Sequence, residues 1–246
     1  LIDSSSSTDK KFEWSDKLKR SGRQTSFYTE IGAAEHFIRV RMRGNYNDSI
    51  ALIQFGDESY VIVPFTNDYD TILTSISLIN DPEERDKFTD RGTKISQSIN
   101  QAVELFRTFG FLDVAGNAIV LFSDGEDTDY LFEGKTLEQI LANTVKGNVP
   151  LYFIRIQEGI SLSFFTTDAD WAKVVKKTGG EFFAGSDDES ILRAIEVINR
   201  KAVGEIENRR YGVKEPRFAI FLLMAQGLWT AALIIWLFSR KFRKFP

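Results

Sequence analysis

Residues in three distant segments have the types and spacing of a site for a hard cation. Asp3 closes a short apolar run, Leu1-Ile2, and hydroxyls follow at Ser5 and Ser7. Thr93 follows Arg91-Gly92, and Asp124 sits in a Ser-Asp-Gly turn that closes the apolar run 118–122. Mg²⁺ takes oxygen ligands in near-octahedral order and keeps several waters. An acid at a strand tip with alternating hydroxyls after it supplies part of such a set. No single loop closes the octahedron, and the two later segments offer the missing oxygens. Each piece alone is also what an ordinary turn looks like. Their occurrence together, in order, favours a site.

Other chemistries lack their residues. Cysteine is absent, which excludes disulfides and thiolate metal sites. His36 is the lone histidine, on a charge-rich helical stretch, so no triad can form and no nucleophile elbow is present. No Walker-type run occurs, and Gly179-Gly180 reads as a helix stop. Asp3 would also suit a Mg²⁺-dependent phosphatase of the haloacid-dehalogenase type. Such enzymes need a second acid two residues on, and this chain has Ser5 there. Glu126, Asp127 and Asp129 read as a solvated acidic loop. Net charge is −4, and everything after Glu215 carries bases without acids, so the remainder is more acidic still. Electrostatics disfavour nucleic-acid binding by that part.

The elements that would position these residues alternate. Apolar spacing at Phe27, Ile31, Ala34, Ile38 and Met42 predicts a helix over 23–43. Near-continuous apolar runs predict buried strands at 49–55, 118–122 and 149–156. A strand at 60–65 carries Pro64 and is expected at a sheet edge. Helices are expected at 70–79, 93–106, 137–145 and 169–177, and a charged loop at 80–90. A short strand at 181–184 precedes a long helix over 187–207, capped by Asp187 or Asp188. Asp127 to Gly134 reads as an acidic loop. This alternation implies an α/β fold: a Rossmann-like, doubly wound, mainly parallel sheet flanked by helices. Ligands of such sheets bind at the carboxyl ends of the strands.

The stretch 218–238 has no charged residue. At 1.5 Å per residue it would reach ~31 Å, about the hydrocarbon thickness of a bilayer. It is expected to be a C-terminal transmembrane helix with Trp229 and Trp236 as anchors. The expected organisation is thus a domain over 1–207, a juxtamembrane linker over 208–217, the span, and a basic tail over 239–246. Bases flank both ends, so charge does not orient the span. The chain opens inside a strand, and its true start is expected upstream.

Asp-x-Ser-x-Ser, a later Gly-Thr and a strand followed by Ser-Asp-Gly resemble the metal-ion-dependent adhesion site of the von Willebrand factor A domain. The resemblance covers 1 to about 205. It departs from the family pattern at Ser6 and Thr8, where Gly and Met are usual; neither is a ligand there. The resemblance implies Ser5, Ser7 and Thr93 as direct metal ligands, with Asp3 and Asp124 acting directly or through water. It implies Mg²⁺, with Ca²⁺ or Mn²⁺ as alternatives, and a protein partner that offers an acidic side chain to the metal, without catalysis. With the apolar helix after the domain, the chain is most similar to bacterial aerotolerance (Bat-type) membrane proteins. That similarity implies a cytoplasmic-membrane location with the domain on the extracytoplasmic side. It further implies partnership with a MoxR-type AAA+ ATPase and other membrane proteins of the family, in assembling or maturing other proteins.

Overall fold

The chain was analysed as a computed structural model, which describes residues 1–12, 17–18, 25–44, 46–79, 92–112, 116–126, 131–132, 135–157, 167–203 and 218–240. It divides into two compact units, Leu1–Glu207 and Asn208–Pro246.

The first unit begins with β1 (Ile2–Asp3) and a 3-10 turn (Ser6–Asp9), followed by α1 (Ser26–Arg43), β2 (Ile50–Phe55), β3 (Ser59–Thr66) and α2 (Tyr69–Ile79). Then come α3 (Ile95–Thr108), β4 (Ile119–Ser123), a two-stranded ribbon of β5 (Leu131–Phe132) and β6 (Lys135–Thr136), and α4 (Leu137–Lys146). β7 (Leu151–Ile156), α5 (Asp168–Lys177), β8 (Glu181–Gly185) and α6 (Asp188–Val203) complete it. The six-stranded sheet has the order β3-β2-β1-β4-β7-β8. β1 pairs in parallel with both β2 and β4, as do β4 with β7 and β7 with β8. Only β3 runs antiparallel, against β2, and it lies at the edge as Pro64 predicts.

Two apolar layers follow from the two-residue period of the strands. Leu52, Phe122, Tyr152 and Ile154 pack with Phe27, Ile31 and Ile38 of α1, Ile72 and Ile76 of α2, and Ile191, Ile195 and Ile198 of α6. Their strand neighbours Ile53, Leu121, Leu151 and Phe153 face the other way, onto Ile95, Ile99 and Val103 of α3 and Trp171 and Val175 of α5. Helices therefore cover both faces, as the alternation of elements predicts. Met42, expected in the buried stripe of α1, is 41 % exposed. The last turn of α1 is held instead by Arg41, which pairs bidentately with Asp48 and donates to Asn199.

One helix end carries a signal the spacing did not reveal, and another has the expected cap. Thr167 and Asp170 form a capping box at the start of α5. At α6, the Ser190 N–H donates to the Asp187 carboxylate at 2.7 Å, so Asp187 is the cap. Part of the expected acidic loop 127–134 pairs as the β5–β6 ribbon, and its other residues lie outside the described ones. The expected charged loop 80–90 lies outside them as well, as do the helix end 204–207, the linker 208–217 and the tail beyond Arg240.

The second unit contains α7 (Phe218–Arg240). The apolar run is helical as expected, but the predicted transmembrane helix is not upheld. Among the described residues no helix is long and apolar enough to cross a membrane. Ser239 and Arg240 close its apolar run with a hydroxyl and a charge. Gln226, Gly227 and Thr230 further interrupt that stretch with polar or small groups, and the Thr230 hydroxyl donates to the Gly227 carbonyl at 2.9 Å.

The glycines after α5 have two different jobs. Gly179 ends the helix at φ +85° with nothing near its missing side chain. Gly180 lies against β7, where an added Cβ would stand 1.7 Å from the Leu151 carbonyl oxygen. Backbone cannot yield there as a side chain can. Gly180→Ala is expected to cost about 3 kcal/mol, and Gly179→Ala about 1 kcal/mol. Urea denaturation of the two variants checks the order; equal costs would refute the close-approach argument.

Candidate metal centre

The site lies where the winding of the sheet reverses. From β1 the chain builds outward through β2 and β3, then crosses back to β4 and builds the other way through β7 and β8. The carboxyl ends of β1 and β4 are therefore neighbours from which connections diverge, and that leaves a crevice. Asp3 ends β1, and Asp124 follows the last residue of β4.

Asp3 is fully buried. One of its carboxylate oxygens accepts the Ser5 N–H at 2.9 Å, and the other accepts the Ser123 hydroxyl at 2.6 Å. The same Ser123 oxygen accepts the Gly125 N–H at 3.0 Å. Ser123 thus joins the two loops and shapes the turn that presents Asp124. Gly125, at φ +83°, occupies a left-handed position that favours glycine. The sequence marked Ser123 only as the first residue of the Ser-Asp-Gly turn. Its role emerges from the packing of β4 beside β1.

The hydroxyls converge. Ser5 and Ser7 lie 2.8 Å apart, and Ser7 and Thr93 lie 3.3 Å apart. The 3-10 turn after Ser5 makes this possible, because it brings Ser7 back over Ser5. Thr8, one of the departures from the family pattern, is buried and donates to the Ser5 carbonyl at 2.6 Å, which tightens that turn. Ser4 ties the loop to β2 through its N–H and hydroxyl, both onto the Phe55 carbonyl. Thr93 is positioned from the same strand end, since the Lys94 N–H donates to the Gly56 carbonyl at 2.9 Å.

All five residues predicted from the sequence therefore meet at one edge of the sheet. Asp124 accepts the Glu126 N–H on one carboxylate oxygen at 3.0 Å, while its other oxygen is buried without a hydrogen-bond partner. A buried acceptor left in this way is costly unless something positive fills the place. Burial raises the Asp3 carboxyl to about 7, and the nearby Asp124 charge adds to the rise. Asp124 is also raised, again chiefly by burial. Two like charges brought together out of water are what a cation would relieve. The donors are carboxylate and hydroxyl oxygens, which suit Mg²⁺, Ca²⁺ or Mn²⁺ rather than softer ions. Among the described residues no group of three or more His, Cys, Asp or Glu could hold a metal, so this hydroxyl-rich set is of a different kind.

Charged residues rim the site. Lys10, just past the 3-10 turn, pairs with Glu126 beyond Asp124 and so bridges the two loops. Asp127 and Asp129 lie outside the described residues. His36 sits in α1, and burial lowers its pKa.

The family model for the von Willebrand factor type A domain matches residues 1–126. No curated protein matches the chain. Among solved structures, the chain is similar to an aerotolerance-related membrane protein from Bacteroides fragilis, at 19 % identity and a TM-score of 0.56, covering 82 % of this chain and 96 % of that one. BatB from Bacteroides thetaiotaomicron is 16 % identical with the same TM-score and coverage. A von Willebrand factor type A protein from Catenulispora acidiphila is 16 % identical with a TM-score of 0.51, covering 82 % of this chain and 41 % of that one.

The raised carboxyl predicts a pH dependence for the metal-free protein. Between the ordinary Asp value of 3.8 and about 7, the unfolded chain has released the Asp3 proton and the folded chain retains it. Stability therefore falls as pH rises through that window and levels off above it. Urea denaturation in EDTA at a series of pH values should show this decline, and Asp3→Asn should flatten it. A variant with the full slope of the parent would refute the assignment to Asp3.

Proposed function

The chain belongs to the von Willebrand factor type A domain family, and from that premise we propose that it is a metal-dependent protein-binding module without catalysis of its own. Domains of this family mediate protein–protein interactions, and the site has the donors for such a role. The observation that carries the proposal is the convergence of the Ser5, Ser7 and Thr93 hydroxyls beside two buried carboxylates, one with an unpartnered oxygen. In this reading Ser5, Ser7 and Thr93 hold Mg²⁺ directly, and Asp3 and Asp124 balance its charge. When bound, the ion supplies an electron-poor position that an acidic side chain can fill. Neutral hydroxyls favour this, because they neutralise less of the ion's charge than carboxylates would.

The partner is a protein that presents a carboxylate. The similarity to a protein described as an aerotolerance-related membrane protein supports placing the work beside a membrane, and our reading takes this to be the extracytoplasmic side of a bacterial cytoplasmic membrane. There the module would help assemble or mature other proteins, together with a MoxR-type AAA+ ATPase and related membrane proteins.

Removing one hydroxyl tests the proposal. Ser5→Ala should weaken Mg²⁺ binding by about ten-fold or more, measured by calorimetry. In pull-downs from membranes, partner capture should require Mg²⁺ and be lost with EDTA or in the variant. Equal metal and partner binding by variant and parent would reject the site.

A further inference from the structure

We infer that Arg155 is the charge that sets how tightly the site at the β1–β4 crevice holds its cation. The inference rests on the metal-site reading above and adds a residue that no sequence motif marks.

Arg155 lies in β7, in register with Ser123 of β4. It is 1 % exposed, in a strand whose other members are apolar. Its stem passes against the turn that presents Asp124, since a Cβ on Gly125 would stand 3.1 Å from the Arg155 Cδ. Its Nε pairs with Oδ1 of Asp168, the first residue of α5, at 2.9 Å. Its Nη1 donates to Oε1 of Gln157 at 3.0 Å. Gln157 in turn reaches Oε1 of Glu126 at 3.5 Å, and Glu126 pairs with Lys10 at the rim. A polar chain thus runs from the start of α5 to the mouth of the site, with the guanidinium in its buried part.

Held in this way, Arg155 cannot turn outward to touch a ligand. Its stem lies against the turn that carries Asp124, whose charge favours the protonated guanidinium, while Lys10 is the base that lowers Asp124 from the rim. What Arg155 can do from a fixed place is electrostatic. A cation among Asp3, Asp124 and the hydroxyls would feel the guanidinium as a like charge where water screens poorly. The offsetting acid, Asp168, is more exposed, with 27 % of its side chain accessible, so it is better screened. The balance loosens the hold on the ion. The same positive charge favours an acidic group arriving at the ion, so the residue trades metal affinity for attraction of the partner.

Calorimetry of the full chain with Mg²⁺ alone as the probe tests this. Arg155→Met removes the charge and should tighten Mg²⁺ binding, lowering Kd roughly three-fold. Arg155→Lys keeps the charge and should bind Mg²⁺ like the parent, even where the separate contacts of Nε to Asp168 and Nη1 to Gln157 are not both kept. Asp168→Asn removes the offset and should raise Kd by a similar factor. Opposite shifts are diagnostic, because Arg155→Met and Asp168→Asn break the same ion pair and a purely structural role would move both one way. Weaker binding in both, or no change in either, overturns the inference. Should Arg155→Met fail to fold, Asp168→Asn decides alone: weaker binding supports the inference, and unchanged or tighter binding overturns it. A parent that takes up no Mg²⁺ sinks the metal-site reading and this inference with it, which is a different result from a parent that binds and variants that match it.

Discussion

The hydrogen bond from the Ser123 hydroxyl to Asp3, 2.6 Å long and buried at the seam between β1 and β4, is the contact on which the rest of the site depends. It joins two strands whose connections leave in opposite directions. On one side it fixes the carboxylate at the tip of β1. On the other the same oxygen takes the Gly125 N–H and sets the turn that carries Asp124. Without it, Asp3 would keep only the Ser5 N–H, and the turn that carries Asp124 would lose its tie to β1. With it, Asp124 stands close enough to add to the rise of the Asp3 carboxyl, and burial raises both acids. The fold therefore maintains an electrostatic tension that a cation would relieve.

Around this seam, the backbone does much of the positioning. Ser4 anchors the first loop to the end of β2, and the Lys94 N–H anchors the Thr93 segment to Gly56 beyond the same strand end. Hydroxyls distant in sequence become neighbours because β2 serves both segments as a mooring. Thr8 shows how a departure from a family pattern can be accommodated: its hydroxyl closes the 3-10 turn on the Ser5 carbonyl. Behind the site, the buried Arg155 pairs with the half-buried Asp168 where an apolar side chain would have sufficed for the core. Removing one member of such a pair leaves the other's charge uncompensated, so each constrains the other in sequence.

Much of the architecture was legible along the chain. Runs such as Ile50–Phe55 and Leu151–Ile156 are apolar on both faces, and only a sheet covered on both sides buries them. Pro64 placed β3 at the edge because proline cannot donate to a ladder. Met42 misled because the stripe of α1 continues past the point where the sheet covers it. Asp187 caps its helix as its residue type suggested, whereas the capping box at Thr167 and the ribbon of β5 and β6 rest on local hydrogen bonds that periodicity does not register. In α7 the absence of charge suggested a span, yet helix formation and membrane crossing are separate properties. Its residues are helical, and Gln226, Gly227 and Thr230 break the apolar run; among the described residues no helix is long and apolar enough to cross a membrane.

By itself the sequence determined the order of strands and helices, the sidedness of the sheet, and the identities of Asp3, Ser5, Ser7, Thr93 and Asp124 as candidates. These follow from local composition and period, which a chain carries before it folds. Tertiary structure alone decided that Ser123 holds Asp3, that one Asp124 oxygen is left unpartnered, and that Arg155 stands behind the turn. Those facts depend on which strand lies beside which and on how little water reaches between them. The first loop offers oxygens by its sequence, and the crevice between β1 and β4 gives them a common place.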